Sequence, residues 1–169
     1  MAEKGTKGAE KKLIDSVKSL REQGFGTKEI LEIVRKSIKA EEKPIEIPAS
    51  IFNNDGLSAL ETIVKFLREN LELSFREISQ LTGRNDIPLR ITYNNSRKKL
   101  SQRFSELDSK YLIPISLLKN KKLSVLENIV SFLKEEFSLS LHQIALILNR
   151  DDRTIWTVHS RAKKKRSVR

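Results

Sequence analysis

The chain has 169 residues, of which 33% are charged and 38% hydrophobic, so it carries enough apolar material for a small core. No run approaches the ~20 apolar residues of a membrane span, the polar, lysine-bearing start does not read as a secretory signal, and the absence of cysteine excludes disulfides and thiolate metal sites. A formal charge of +11 favours an anionic partner, nucleic acid or an anionic membrane surface, and the expected compartment is the cytoplasm, with the chain nucleoid-associated.

The charge is uneven. Residues 1–43 carry a net +3, residues 44–110 a net +1 and residues 111–169 a net +7, much of it from Arg161 to Arg169. The bland reading of that end is a solvated basic tail. A membrane role is disfavoured because no large apolar face lies beside the basic residues.

In chain order, residues 1–10 read as a flexible basic tail and residues 11–43 as a helical pair. Leu13, Ile14, Val17 and Leu20 form one stripe, Gly24-Phe25-Gly26 a turn, and Thr27 can cap a helix bearing Ile30, Leu31, Val34 and Ile38. This pair is a candidate partner-binding or dimerising element. Residues 41–48, with two prolines and three glutamates, read as an extended linker.

An internal repeat follows. At an offset of 66, residues 47–99 match residues 113–165 without a gap, with 20 identities in 53 positions. Each copy reads as three helices, which gives a first unit over 44–110 and a second over 111–169. In the first helix Leu57, Leu60, Ile63, Val64 and Leu67 share a face. Ser58 with Glu61 forms a capping box, repeated by Ser124 with Glu127. The second helix opens on Ser74 with Glu77, or Ser140 with Gln143. Its apolar face is Phe75, Ile78 and Leu81, or Leu141, Ile144, Ile147 and Leu148. Gly83 and Asn149 then occupy the same place, and both residue types enter left-handed backbone readily, as a helix C-terminus requires. Asp86 and Asp152 are expected to cap the third helix. Its inward residues are Leu89, Tyr93, Ser96 and Leu100, or Ile155, Val158 or His159, and Ala162. Leu100, Phe104 and Leu107 extend the same spacing and can prolong the first of these helices. The fold class is all-α: two tandem trihelical helix-turn-helix units preceded by a helical pair.

The segment Leu139-Ser140-Leu141-His142-Gln143-Ile144-Ala145, then Leu148-Asn149-Arg150, Arg153-Thr154-Ile155 and Arg161-Ala162-Lys163-Lys164 resembles the helix-turn-helix of sigma-factor region 4 and related regulators. The likeness covers about 28 residues of the second unit. It is weaker over Leu73 to Leu100, where Pro88-Leu89 and Asn95-Ser96 depart from the pattern. Archaeal-type tandem regulators with an Ile-Pro-x-Ser lead-in are similar too. The resemblance implies a DNA-binding trihelical fold with the third helix as reader. It does not extend to promoter opening, because the residues before the first unit lack an aromatic-rich helix.

The repeat also points to the reading surface. Positions 47–86 match their equivalents at 18 of 40, whereas positions 87–97 match at none of 11. The scaffold was kept and the third helices diverged, as two readers of different half-sites would; the alternative is that one unit has become a docking surface. In the second unit the outward residues are Arg153, Thr154, Trp156, Thr157, Ser160 and Arg161, types that suit guanine edges and thymine methyls. Arg150, Lys164 and Lys165 suit phosphates. Trp156 suits either sugar or thymine methyls of the DNA, or a contact with the first unit or with a second chain. In the first unit the outward set is Ile87, Arg90, Ile91, Asn94 and Asn95, with Arg84, Lys98 and Lys99 as further DNA-contact candidates. Ile87 and Ile91 are apolar for a groove-facing helix and favour a protein contact.

No catalytic constellation is legible, and no enzyme activity, metal or cofactor is expected. His142 and His159 have Arg76 and Tyr93 as repeat equivalents, so neither belongs to a shared site. Gly24-Phe25-Gly26 is a turn and no phosphate-binding glycine loop. Asp151-Asp152 reads as a helix start. Three functions remain: a sequence-specific regulator of transcription binding double-stranded DNA, an architectural nucleoid protein, or an adaptor docking the transcription machinery. RNA polymerase and a second copy of the chain are the candidate protein partners.

Overall fold

A computed structural model describes residues 3–41 and 44–167. The described residues are mostly helical, with eight α-helices and one two-stranded sheet, and they divide into two compact units, residues 1–43 and 44–169.

The first unit consists of α1 (Glu3–Glu22) and α2 (Thr27–Glu41). Helix α1 starts inside the segment expected as a tail, where Glu, Lys and Ala outweigh the cost of Gly5 and Gly8. The turn closes on Gly24, whose φ of 92° needs glycine, and Phe25 N–H donates to Leu20 O at 3.1 Å. Thr27 is the first helical residue rather than the cap. Glu29 instead accepts the Gly26 N–H at 2.8 Å. Among the described side chains only Ile30 is buried, while Leu13, Ile14 and Leu31 of the expected stripes stay exposed. The Ile38 side chain and residues 168–169 lie outside the described part.

The second unit holds both repeats. The first contains β1 (Glu46–Pro48), a 3-10 helix (Ala49–Phe52), α3 (Ala59–Glu69), α4 (Phe75–Thr82) and α5 (Asp86–Lys99). The second contains β2 (Leu112–Pro114), a 3-10 helix (Ile115–Lys119), α6 (Val125–Glu136), α7 (Leu141–Ile147) and α8 (Asp152–Ser167). All four expected capping boxes form, with each serine hydroxyl accepting the N3 N–H and the N3 side chain accepting the serine N–H. Gly83 and Asn149 are left-handed, at φ 65° and 48°. The caps of α5 and α8 fall one residue earlier than expected, on Asn85 and Asp151. Asp151 Oδ1 accepts the Arg153 N–H at 2.8 Å.

Three further expectations are corrected. The segment ending at Pro48 is not a linker. Ile47 and Pro48 are buried and pair antiparallel with β2, so the body is not purely helical. Helix α5 stops at Lys99, since Leu100 is extended, and residues 100–111 run without regular structure. Phe104 nevertheless packs on the core, and its carbonyl accepts from Asn70 Nδ2 at 2.8 Å.

The sheet reveals how the repeats associate. Its register sets Glu46 against Pro114, Ile47 against Ile113 and Pro48 against Leu112. Ile47 and Ile113 are repeat equivalents, so exchanging the two repeats maps the pairing onto itself. The flanking bonds obey the same exchange: Ala49 N–H to Tyr111 O at 2.9 Å, and Ile115 N–H to Ile45 O at 3.0 Å. Helix α3 meets α6, α4 packs on the second 3-10 helix, and α7 packs on the first. This is the isologous contact of a two-fold dimer, made within one chain. Ile47, Phe52, Ile63, Leu67 and Ile78 join Ile113, Leu118, Ile129, Leu133 and Ile144 in one continuous core.

Candidate nucleic-acid interface

The third helices are held by short, buried faces. Ile155 and Ala162 of α8, seven residues apart and so on one side of the helix, are 0% and 1% exposed, as are Ser96 and Leu89 of α5. Their C-terminal ends are tied back to the capping boxes. Lys99 Nζ lies 2.9 Å from both Glu61 carboxylate oxygens, and Lys165 Nζ lies 2.7 and 2.9 Å from those of Glu127. Burial pushes the Glu61 and Glu127 carboxyls up. The serine N–H and lysine bonds outweigh it and hold both below the ordinary carboxylate value. Each carboxylate therefore serves two helices, capping the first and clamping the third.

This changes the roles of several expected site residues. Lys99 and Lys165 are engaged as clamp residues, with about half of each side chain still exposed. Arg150 is an interface residue: Nη1 donates to Asn54 O at 3.1 Å and Nη2 to Leu57 O at 2.6 Å, both in the other repeat. Beside it, Asn149 Nδ2 donates to Asp55 at 2.6 Å. Arg84, the equivalent of Arg150, is half-buried, and its Nε has no hydrogen-bond partner among the described residues.

The remaining candidates on α8 do form a common exposed face. Arg153, Thr154, Trp156, Arg161 and Lys164 are exposed, with Trp156 at 62%, and Thr157 and Ser160 are half-exposed. Arg153, Arg161, Lys163 and Lys164 make no ion pair among the described residues. The acids nearby are engaged: Asp152 bonds His142 Nδ1 at 3.0 Å, and Glu135 pairs with Arg166. Thr157 donates its hydroxyl to Arg153 O at 2.8 Å. His159 is half-buried; burial and then the Lys134 and Lys163 ammoniums hold its imidazole below the usual histidine value.

Helix α5 presents a different face. Arg90, the equivalent of Trp156, stacks 4.7 Å above the Phe75 ring and lies 3.7 Å from Asp86. Asn94, Asn95 and Lys98 are exposed, and Lys98 makes no ion pair among the described residues. Ile87 and Ile91, one turn apart, are 67% and 57% exposed. Behind this face a buried network links Lys65 to Glu69 at 2.7 Å and the Tyr93 hydroxyl to Glu69 at 3.2 Å.

The sequence reading missed Lys163, Lys121 and Lys122 as candidates. Their signal was present in the repeat, where Lys121-Lys122 stands opposite Asp55-Gly56. Compared with protein-family models, curated proteins and solved structures, the chain matches none. No described helix is long and apolar enough to cross a membrane.

Proposed function

We propose that this chain binds double-stranded DNA through two helix-turn-helix units related by an internal two-fold axis, and that it is a sequence-specific regulator of transcription. The observation that carries the reading is the exposed face of α8. Among the described residues four cationic side chains there lack acid partners, and they flank threonine, serine and tryptophan side chains of the kind that meet base edges and sugars. The resemblance to sigma-factor region 4 agrees with that assignment. In this reading Arg153 and Arg161 contact bases, while Lys164 and Lys163 contact phosphates. Helix α5 is the second reader, with Asn94 and Asn95 suited to adenine edges.

A two-fold pair of readers is the arrangement that dimeric helix-turn-helix proteins bring to palindromes. Here the readers share no residue over positions 87–97 and 153–163, so the preferred site is an asymmetric pair of half-sites. The exposed Ile87 and Ile91 favour a second reading, in which α5 docks a component of the transcription machinery and α8 alone holds DNA.

Selection from a random duplex pool, followed by fluorescence anisotropy across a salt series, tests the proposal. Contact with six to ten phosphates gives a log–log salt slope of roughly −5 to −9. Two unlike enriched half-sites support two readers, and a single half-site supports the docking reading of α5. A steep slope without enrichment supports an architectural protein. No binding at moderate salt overturns the proposal.

A further inference from the structure

The two repeats meet around a cleft of about 590 Å³. Its lining contains equivalent residues from both copies: Ser58 with Ser124, Leu60 with Leu126, and Arg84 with Arg150. The cleft therefore straddles the internal two-fold axis. Five cationic side chains line it, Arg84, Lys121, Lys122, Arg150 and Lys165, and the Glu61 and Glu127 carboxylates border it through the lining Ser58 and Ser124 N–H groups.

The two ends of this contact are related by the repeat but not by charge. At one end Asp55 meets Asn149, and Arg150 is satisfied by the carbonyls of Asn54 and Leu57. At the other end the equivalent of Asp55 is Lys121. It lies against the turn at Gly83, its Cε 3.8 Å from where a β-carbon would stand. The carbonyls equivalent to those that hold Arg150 belong to Asn120 and Leu123. Both already accept from Asn128 Nδ2, at 3.0 and 3.4 Å. Arg84 makes none of the bonds that its twin makes, and among the described residues its Nε is buried without a partner. Lys121 and Lys122 are exposed, and none of the three makes an ion pair among the described residues. Glu61 and Glu127, the capping carboxylates of α3 and α6, are spent on Lys99 and Lys165.

Arg84, Lys121 and Lys122 gather like charges at the edge of the contact, none paired with an acid among the described residues. Arg84 Nε is buried, so a partner in the cleft meets the outer nitrogens of the guanidinium. A tetrahedral oxyanion accepts the planar guanidinium fork on two oxygens and neutralises the lysines. We propose that this cleft is a phosphate-binding site in which Arg84, Lys121 and Lys122 hold the anion at the junction of the two repeats. Two sources share that chemistry: a backbone phosphate of bound DNA between the half-sites, and a free phosphorylated small molecule. The site itself does not depend on DNA binding.

The test uses the full chain, pyrophosphate as probe, and the variants Arg84→Gln and Lys121→Gln. Thermal unfolding is followed at increasing pyrophosphate, with ionic strength held constant by chloride. The expected result is a rise in Tm specific to pyrophosphate. Each variant weakens the apparent affinity by about tenfold, the loss of roughly one charge-assisted bond. DNA anisotropy across salt, on the same proteins, distinguishes the sources. If the variants also reduce the magnitude of the salt slope by about one, the occupant is a backbone phosphate. If the slope is unchanged while the pyrophosphate effect is lost, the occupant is a free phosphorylated molecule. A slope change without a pyrophosphate effect assigns the cleft to DNA alone. A pyrophosphate effect equal in wild type and variants overturns the proposal, as does the absence of both effects.

Discussion

Replacing Arg150 with alanine separates two roles that the sequence alone confounds. As a phosphate contact, Arg150 would affect DNA affinity and leave folding untouched. The structure instead makes it a strut between repeats, donating to Asn54 O and Leu57 O across the internal axis and to Asn149 O in its own turn. Charge-assisted bonds contribute about 1.5–3 kcal/mol each, and truncation also leaves acceptors without donors. Half-buried side chains sit at the lower end of that range, so the two bonds between repeats together account for roughly 2–4 kcal/mol. For a body of this size that lowers Tm by roughly 8–15 °C. Urea unfolding followed by far-ultraviolet dichroism measures it directly, because a shift in midpoint at constant slope reports stability alone. Arg84→Ala serves as the internal control, since the same residue type at the equivalent position has no bonds to lose and costs much less. An Arg150→Ala protein with an unchanged midpoint and weakened DNA binding would refute the strut assignment.

The other predictions concern helix α8 and acid stability. Arg153→Ala and Arg161→Ala should each weaken binding to a selected site by about 1–3 kcal/mol and to random duplex much less; equal losses on both duplexes remove them from base readout. Lys164→Ala should weaken binding to all duplexes alike and reduce the salt slope by about one, with Tm unchanged. Its neighbour Lys165→Ala should lower Tm, because it strands the buried Glu127; the reverse pattern, stability lost at Lys164 and binding lost at Lys165, contradicts the clamp. The folded-state carboxyls of Glu61 and Glu127 lie below the ordinary 4.5 despite burial, held there by the serine N–H and lysine bonds. Their contribution is therefore full above about pH 4.5 and is lost as pH falls through their lower folded values. Glu127→Gln should be less stable than wild type at pH 7 and converge towards it in acid, and a constant difference down to pH 3 excludes the linkage.

Much of the second unit was legible because its signals are local. Serine followed three residues later by glutamate or glutamine fixes a helix start, and Gly83 or Asn149 fixes an end, without reference to the rest of the chain. What was not legible depends on a partner distant in sequence. Residues 46–48 resemble a linker in isolation and become a strand only because residues 112–114 offer the other edge. Lys99 and Lys165 look like ordinary basic residues at a helix end until α3 and α6 bring a buried carboxylate beneath them. Arg150 and Arg84 share one residue type and one repeat position. Only the loops they meet, around Asp55 and Lys121, distinguish a strut from an arginine without a partner. Exposure was read correctly at Trp156, Ile87 and Ile91, since it follows from helical phase once Ile155 and Leu89 are placed inward.

The internal axis also explains where the repeats stayed alike and where they drifted apart. In a homodimer one gene writes both readers, so the two half-sites must match. Fusion of the two copies removes that constraint, while the isologous contact still constrains the scaffold. Ile47, Ile63, Leu67 and Ile78 keep identical equivalents because each fills the same place on either side of the shared core. Ser58 with Glu61 and Lys99 is kept because capping and clamping form one electrostatic unit that cannot be changed singly. Residues 87–97 and 153–163 answer only locally to the scaffold, through Leu89 and Ser96 or Ile155 and Ala162, and among them nothing is shared. The contact at Asp55 and Lys121 is the exception. It lies within the constrained interface and still diverged, and it did so towards repulsion. At one end the acid Asp55 bonds Asn149 in the turn before Arg150, whereas at the other Lys121 lies against the turn before Arg84. The lysine in that place is the divergence that the proposed phosphate site accounts for.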